Sequence, residues 1–255
     1  MGRCGLALIL ALAAAPASAA ELRVCADPNN MPFSNAKGEG FENKIVERIA
    51  ADWGRTLKYT WWAQRRGNVR STLKAGECDL IPGIGSTVEM VGATRPYYRA
   101  RYVFVTRADR GLDIASFDDP RLKTLKIGVQ MVGDDGSNTP PAHALAKRGI
   151  VDNVRGYLIY GDYAEADPQA AIVRAVASGQ IDVALVWGPT AEWYAKASPV
   201  PLVLTPTPWL DGPQLPMQFD VSMGVRREDN KLRTDLNAWL GAHKADVDAI
   251  LAGYR

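Results

Sequence analysis

The sequence predicts an α/β fold with two lobes around a cleft, joined by two crossover strands. Segments with strand-like and helix-like apolar patterns alternate along the 255 residues. Such alternation is typical of parallel sheets that helices cover on both faces. Two further alternating segments, 97–106 and 219–225, stand where the chain would leave the first lobe and later return to it. Two crossovers form a hinge, so we expect a cleft that can close.

In the first half of the chain, apolar patterns predict strands at 22–26, 57–61 and 78–82. They also predict a helix at 42–53 and a shorter helix that Asn68 caps. Apolar side chains recur at helical spacing on one face of the longer helix, whereas they alternate along the second strand. A glycine follows each helix, as is common where helices end.

The second half repeats this plan. Strands are predicted at 125–130, 155–160 and 181–186, with a helix at 140–148 between the first two. A second helix should begin at Asp167, because an aspartate N-cap followed by proline is a common helix start. Two more helices follow the second crossover and complete the chain.

The first twenty residues have the parts of a secretory signal peptide. Arg3 provides a positive start, residues 6–15 a short apolar core, and residues 17–19 a small-residue cleavage site. The core is too short to span a bilayer, so we expect an exported mature protein that does not insert into membranes. The predicted domains are residues 1–20 as signal peptide, residues 21–100 plus 219–255 as lobe 1, and residues 101–218 as lobe 2.

The composition is that of an ordinary globular protein. Of all residues, 47% are hydrophobic and 23% are charged, and the formal net charge is +2. Lysine and arginine are scattered among aspartate and glutamate, which argues against a nucleic-acid binder. The length is sufficient for two lobes that each bury a core.

Two cysteines, Cys25 and Cys78, remain after the leader is removed. In an oxidising compartment such a pair is most simply a disulfide, and two free buried thiols are the alternative. A metal site is not expected, because His143 and His243 have no ligand spacing to a cysteine.

The sequence gives little support for catalysis. It contains no G-x-S-x-G elbow, no His-Glu-x-x-His run and no phosphate-binding glycine loop. A dehydratase would need a buried acid with substrate clamps, and Glu89 is the acid that the sequence nominates. We therefore expect a protein that is not an enzyme and needs no cofactor.

Residues 76–85 and 179–188 share one pattern. Each contains a glycine at a helix end, a strand opened by Asp79 or Asp182, and a turn with glycine. This repetition indicates two lobes of similar build. Strand ends of this kind hold the ligand sites of open α/β sheets, and the second one ends in Trp187.

This arrangement resembles the type II periplasmic binding proteins, the solute-binding family that includes amino-acid receptors of ABC transporters. The resemblance covers nearly the whole mature chain. In the amino-acid receptors, the arginine of a Thr-x-Glu-Arg motif binds the substrate carboxylate, and an aspartate at a strand end binds the ammonium group. The corresponding positions here are Met90 and Trp187, so amino-acid binding is not expected.

Four stretches, 27–35, 94–99, 128–141 and 186–189, together look like a narrower group. These are the J proteins of the MxaJ and XoxJ type, encoded beside methanol dehydrogenases. The resemblance implies a periplasmic accessory protein that works with a pyrroloquinoline-quinone methanol dehydrogenase and its cytochrome c, and we expect a monomer. The alternative is an ABC-transporter receptor for a small, weakly polar ligand.

Several residues are candidates for contacts in the cleft. Asp27, Asn29, Asn30 and Phe33 follow the first strand, where a loop should overhang the cleft, although these residue types also favour plain turns. Alternation along the second strand places Trp61 in the core and leaves Trp62, beside Arg65, for contact with a partner. The remaining candidates for the cleft or a partner surface are Gly85, Ser86, Tyr97, Gln130, Met131, Asp162, Trp187 and Gly188.

Trp187 has two interpretations that agree in their consequence. It either plugs the cleft like a core residue or replaces the charged anchor, and both make the cleft apolar.

Residues 133–138 are either an anion-binding turn before a helix or a solvated loop. They lack the ligand series of a calcium loop.

Overall fold

The computed structural model describes residues 20–132, 138–160 and 165–254. The predicted signal peptide therefore lies outside the described residues, apart from Ala20. The candidate Asp162 also lies outside them, as does most of the loop at 133–138.

The described chain alternates strands and helices as predicted. The strands are β1 (Glu21–Ala26), β2 (Asn29–Asn30), β3 (Ser34–Asn35), β4 (Thr56–Trp61), β5 (Leu80–Gly85), β6 (Gly92–Ala93), β7 (Tyr98–Arg107), β8 (Ile127–Met131), β9 (Val154–Leu158), β10 (Val183–Trp187), β11 (Leu202–Pro206) and β12 (Gln218–Val225). The helices are α1 (Phe41–Asp52), α2 (Asn68–Ser71), α3 (Pro140–Lys147), α4 (Ala171–Ala177), α5 (Gly188–Lys196), α6 (Asn230–Ala242) and α7 (Lys244–Ala252). Short 3-10 helices occupy Ala108–Arg110, Pro120–Lys123 and Pro168–Ala170.

The strands join into one path in the order β4-β1-β5-β12-β7-β10-β8-β9. At the two ends the strands are parallel, since β1 is parallel to β4 and β5, and β8 to β9 and β10. In the middle, β7 pairs with β12 up to Arg101 and with β10 from Tyr102 onward. One long strand thus runs from the first lobe (β1, β4, β5, α1, α6 and α7) into the second (β8 to β11 and α3 to α5). The α/β class with two lobes and two crossover strands is confirmed, while the lobe boundaries by residue number stay a prediction.

Each lobe has its own apolar core. In the first lobe, α1 buries Ile45 and Ile49 against β1, as the helical spacing of its apolar residues predicts. In the second lobe, Phe104, Ile127 and Leu185 are completely buried. Burial of side chains of this size contributes about 1.5–3 kcal/mol each, so both lobes have enough apolar area to fix the strand ends between them.

The predicted disulfide is present. Cys25 lies in β1 and Cys78 lies just before β5, and their Cα atoms are 5.5 Å apart. The bridge is surrounded by apolar side chains that include Leu73 and Ile81. It ties the two strands whose ends border the cleft.

The two strand-opening aspartates have similar roles. Asp79 forms ion pairs with Arg23 (2.6 Å) and Arg226 (2.7 Å). Asp182 accepts the backbone N–H of Lys126 at 2.8 Å and pairs with Arg110 at 3.1 Å. The repeated pattern is therefore a structural repeat in which each aspartate fixes the start of a strand.

Three local predictions need correction. The helix after Asn68 spans one turn, Asn68–Ser71, and its N-cap is Gly67 with φ 86°, a conformation that favours glycine. Asp167 makes no side-chain capping bond, because a 3-10 turn at Pro168–Ala170 precedes α4. The third strand begins at Leu80 instead of Cys78 and continues to Gly85.

Candidate functional site

A cavity of about 280 Å³ lies between the lobes. The first lobe contributes Asn30, Phe33, Glu42, Gln64, Gly83, Ile84, Gly85, Tyr98 and Val221. The second lobe and the adjoining crossover residues contribute Tyr102, Gln130, Ile159, Gln169, Trp187, Thr190 and Phe219. This is the place where the carboxyl ends of the parallel strands meet, as expected for a ligand site in an open α/β sheet.

Aromatic rings form much of the wall. Trp187 ends β10 and pairs in register with Tyr102 of β7, and their ring centroids are 5.1 Å apart at an interplanar angle of 65°. The ring of Phe219 lies 6.1 Å from Trp187. Phe33 and Tyr98 complete the aromatic lining from the first lobe. Burial in this wall raises the pKa of Tyr102, so its hydroxyl stays protonated.

Glu42 is a carboxyl inside the cavity. It is the second residue of α1 and is 8% exposed. Its backbone N–H donates to the Phe33 carbonyl at 2.9 Å. Its carboxyl lies so close to Gly83 that a Cβ there would be 1.9 Å from Oε1, so a side chain at position 83 would have to displace the carboxyl. Burial, with a smaller effect of Asp27, raises the pKa of Glu42 to about 8, which keeps the carboxyl largely protonated at neutral pH.

Amide side chains give the cavity further polar character. Asn30 donates from Nδ2 to Oε1 of Gln64 at 2.6 Å. Gln130 accepts the backbone N–H of Trp187 on Oε1 at 2.7 Å. Gln169 is 4% exposed, and its Nε2 has no acceptor within the described part of the chain. The prediction of an apolar cleft therefore describes the aromatic wall but not the amides and Glu42.

The loop after β1 is shaped by Asp27. Its carboxylate accepts the backbone N–H of Asn29 at 2.9 Å and that of Gln64 at 2.7 Å. This is the turn chemistry that the sequence allowed as an alternative. Asn29 itself reaches across the cleft, because its Nδ2 donates to the Glu165 carbonyl of the second lobe at 2.8 Å. Asn30 and Phe33 line the cavity from the same loop.

Trp61 and Trp62 point to different surroundings, as alternation along the strand predicts. Trp61 stacks on Tyr59 with centroids 4.4 Å apart and packs on the first core. Trp62 is half-buried, and the Arg65 guanidinium lies over its ring at 5.7 Å. Neither Trp62 nor Arg65 lines the cavity, so this pair is a surface feature near its edge, next to Gln64.

Of the candidates near β5 and β7, some line the cavity and others contact neighbouring residues outside it. Gly85 lines the cavity, while the Ser86 hydroxyl is 2.7 Å from that of Ser222. Tyr97 is not among the lining residues and donates its hydroxyl to the Pro82 carbonyl at 3.0 Å. Its neighbour Tyr98 lines the cavity instead.

Candidates of the second lobe divide in the same way. Gln130 and Trp187 line the cavity. Met131 packs on the second core, with its sulfur over Gly156. Gly188 lies against the backbone of β7, where a Cβ would be 2.7 Å from the Arg101 carbonyl oxygen, so it lets α5 begin close to the crossover.

The acid in the cavity is Glu42 and not Glu89, the acid nominated from the sequence. Glu89 is exposed at the surface. A glutamate in the first turn of a helix is normally explained by the helix dipole, so its position in the sequence carries no signal for a buried role. Among the described residues, no group of three or more His, Cys, Asp or Glu side chains could hold a metal ion. None of the helices in the described part of the chain combines the length and the hydropathy that a membrane span requires.

Comparisons with known proteins agree with this architecture. Residues 22–254 match the family of bacterial extracellular solute-binding proteins, family 3. Protein MoxJ of Methylorubrum extorquens is 35% identical over 251 residues, which cover 93% of this chain and 81% of that protein. The crystal structure of the periplasmic binding protein XoxJ from Methylobacterium extorquens AM1 has 39% identity and a TM-score of 0.72 over 91% of this chain and 96% of that one.

A second solved structure is similarly close. MxaJ from Methlophaga aminisulfidivorans MPT has 27% identity and a TM-score of 0.74, covering 91% of this chain and 98% of that one. These relatives confirm the resemblance that the four sequence stretches indicated. The chain therefore belongs to the bacterial extracellular solute-binding proteins of family 3 and, within that family, to the group of the MxaJ and XoxJ proteins.

Proposed function

We propose that this protein acts in the periplasm as an accessory protein of a pyrroloquinoline-quinone methanol dehydrogenase, which it binds and helps to activate or mature. The cytochrome c of the same system is a second partner in this proposal. The proposal is supported by relatedness to MoxJ, XoxJ and MxaJ along more than nine-tenths of the chain. The association with methanol dehydrogenase that membership of this group implies is thereby proposed for this chain.

One observation favours this role over amino-acid transport. Trp187 stands at the end of β10, where an amino-acid receptor would present the carboxylate that binds the ammonium group. Met90, at the position of the carboxylate-binding arginine, is 37% exposed at the surface. Without these two charges a zwitterionic amino acid would lose both of its anchors, and desolvating its charges would be unfavourable.

The connections between the lobes suggest how binding of the dehydrogenase could change their arrangement. The lobes are joined by β7 and β12, and side chains of the described residues form further contacts between them. Asn29 bonds to the Glu165 carbonyl, and Tyr254 stacks on Trp193 of the second lobe with centroids 5.4 Å apart. A dehydrogenase segment with an apolar side chain at the aromatic wall would favour one lobe arrangement over another, since a ligand shifts the populations of states that it binds unequally.

An activation assay tests the proposal. The mature protein, residues 21–255, is added to purified apo-dehydrogenase, and the gain in alcohol oxidation is followed together with co-purification. Trp187→Asp should abolish activation, because it places a charge in the aromatic wall. Trp209→Asp is the matched control, since Trp209 is 64% exposed and lies outside the cavity. Absence of both co-purification and activation with the unaltered protein would refute the accessory role.

A solute receptor is the second candidate, and one observation favours it. The cavity has nearly the size of small-molecule sites, about 300–1,000 Å³, and the buried Gln169 amide has a donor without an acceptor in the described structure. A receptor would bind a small solute and close around it without any dehydrogenase.

A further inference from the structure

The cavity combines an acidic group with aromatic faces. Glu42 is almost completely buried, and no hydrogen-bond donor contacts its carboxyl among the described side chains. Buried carboxyl groups are normally hydrogen-bonded or paired with a cation. The aromatic wall of Phe33, Tyr98, Tyr102 and Trp187 lines the same space. A carboxylate beside several aromatic rings is the combination that recognises organic ammonium groups.

We propose that this cavity binds a small organic cation, an alkylammonium compound that also carries an oxygen acceptor, with Glu42 as the counter-ion and Gln169 as the donor to the oxygen. Gln169 supplies an independent observation, since its Nε2 is buried beside the cavity without an acceptor in the described structure. An amino alcohol such as choline or ethanolamine has both groups.

The charges around the cavity select against other ligand classes. None of the described residues that line it is lysine or arginine, so an anion has no counter-charge there. An amino acid is disfavoured because Met90 replaces the arginine that would bind its carboxylate. The cavity volume of about 280 Å³ is close to the lower end of the range for small-molecule sites, about 300–1,000 Å³.

The groups around Glu42 set how binding depends on pH. Asp27 faces it from the loop after β1, Tyr97 from the segment before β7, and Tyr59 from β4. The phenols are neutral at physiological pH, and Asp27 adds negative charge that attracts a cation. Because burial raises the pKa of Glu42 to about 8, a cation must displace its proton. Affinity should therefore rise as the pH approaches this value.

This inference goes beyond the accessory function and holds or fails without the dehydrogenase. The test titrates residues 21–255 with choline and with 3,3-dimethylbutan-1-ol, its neutral isostere, by calorimetry and tryptophan fluorescence. A third arm uses Nα-acetyl-lysine N-methylamide, which represents a lysine side chain of a protein partner. Choline should bind at least about tenfold tighter than the isostere, and its affinity should increase by about tenfold or more between about pH 6 and about pH 8.

Two variants test whether Glu42 is the counter-ion of the bound cation. Glu42→Gln should weaken choline binding by about tenfold or more and leave the isostere unaffected, while Glu89→Gln, which changes an exposed acid, should change neither. If Glu42→Gln does not fold, the pH dependence of choline affinity in the unaltered protein decides whether an acidic group of the cavity takes part in binding. Equal affinity for choline and its isostere, an affinity independent of pH, or no binding at all would overturn the proposal. Tighter binding of the lysine derivative than of choline would also overturn it, since the site would then serve a protein side chain.

Discussion

Trp187 and Tyr102 face each other across β10 and β7, and their rings meet edge to face with centroids 5.1 Å apart. Tyr102 is the first residue of the crossover strand that pairs with the second lobe, while Arg101 just before it pairs with β12. The aromatic wall of the cavity is thus built on the strand that links the lobes. The pair therefore joins the wall of the cavity to the strand that links the lobes.

Removing the Trp187 ring should destabilise the fold. Trp187→Ala loses the contacts with Tyr102 and Phe219, so the free energy of unfolding should fall by about 1–3 kcal/mol. Urea unfolding followed by circular dichroism measures this difference. Trp209→Ala, at an exposed position, should change stability by less than about 0.5 kcal/mol. Equal effects of the two variants would contradict the packing role of Trp187.

The disulfide should contribute substantially to stability. Cys25 and Cys78 are separated by 53 residues, and closing a loop of this length stabilises a fold by about 4 kcal/mol in the chain-entropy description. Replacing both cysteines with serine should lower the free energy of unfolding by that amount in a urea titration. Reduction of the unaltered protein with dithiothreitol should give a similar loss, whereas it should leave the double variant unchanged.

Glu42 should make stability depend on pH. Its folded pKa is raised to about 8 by burial, whereas its unfolded pKa is about 4.3. The folded state therefore holds the proton more tightly, so this contribution is fully present below about pH 4 and is lost as the pH rises through about 8. Compared with Glu42→Gln, the unfolding free energy of the unaltered protein should fall by about 1.4 kcal/mol per pH unit between about pH 5 and pH 7.5. Parallel pH profiles of the two proteins would show that Glu42 does not titrate this way.

Gly83 should be less tolerant of a side chain than Gly85. A Cβ at position 83 would be 1.9 Å from Oε1 of Glu42, whereas a Cβ at position 85 would make an ordinary 3.6 Å contact with Val88. Gly83→Ala should therefore push the Glu42 carboxyl from its place and cost about 1–3 kcal/mol of stability. Gly85→Ala should be nearly neutral. Thermal unfolding of both variants checks the difference, and a stable Gly83→Ala protein with an unchanged pH profile would contradict the described position of Glu42.

Local patterns in the sequence predict most of the elements but not which side chains meet in the cavity. Tyr97 and Tyr98 show why. Tyr97 lies just before β7, so strand alternation does not decide where its side chain points, and its ring meets that of Tyr98 edge to face with centroids 4.9 Å apart. The predicted segment began at Tyr97, whereas β7 begins at Tyr98, and it is Tyr98 that lines the cavity.

Glu42 shows a second limit of sequence patterns. Whether a glutamate in the first helical turn faces solvent or a cavity depends on the chain that covers it. Here the loop after β1 folds over the start of α1, since the Phe33 carbonyl accepts the N–H of Glu42 and the Pro32 carbonyl accepts that of Phe41, both at 2.9 Å. Gly83, from a distant strand, supplies the remaining space. No local spacing encodes these contacts, whereas the disulfide could be predicted because only two cysteines follow the predicted signal peptide.

Direct binding to the dehydrogenase is the measurement that tests the accessory role most directly. The intrinsic tryptophan fluorescence of residues 21–255 is titrated with purified apo-methanol dehydrogenase, with Trp187→Asp as the matched variant. Since Trp187 lies in the cavity wall, the accessory role predicts a saturable change that the variant loses. No change with the dehydrogenase, together with a saturable response to a small solute, would contradict the accessory role and identify the protein as a solute receptor.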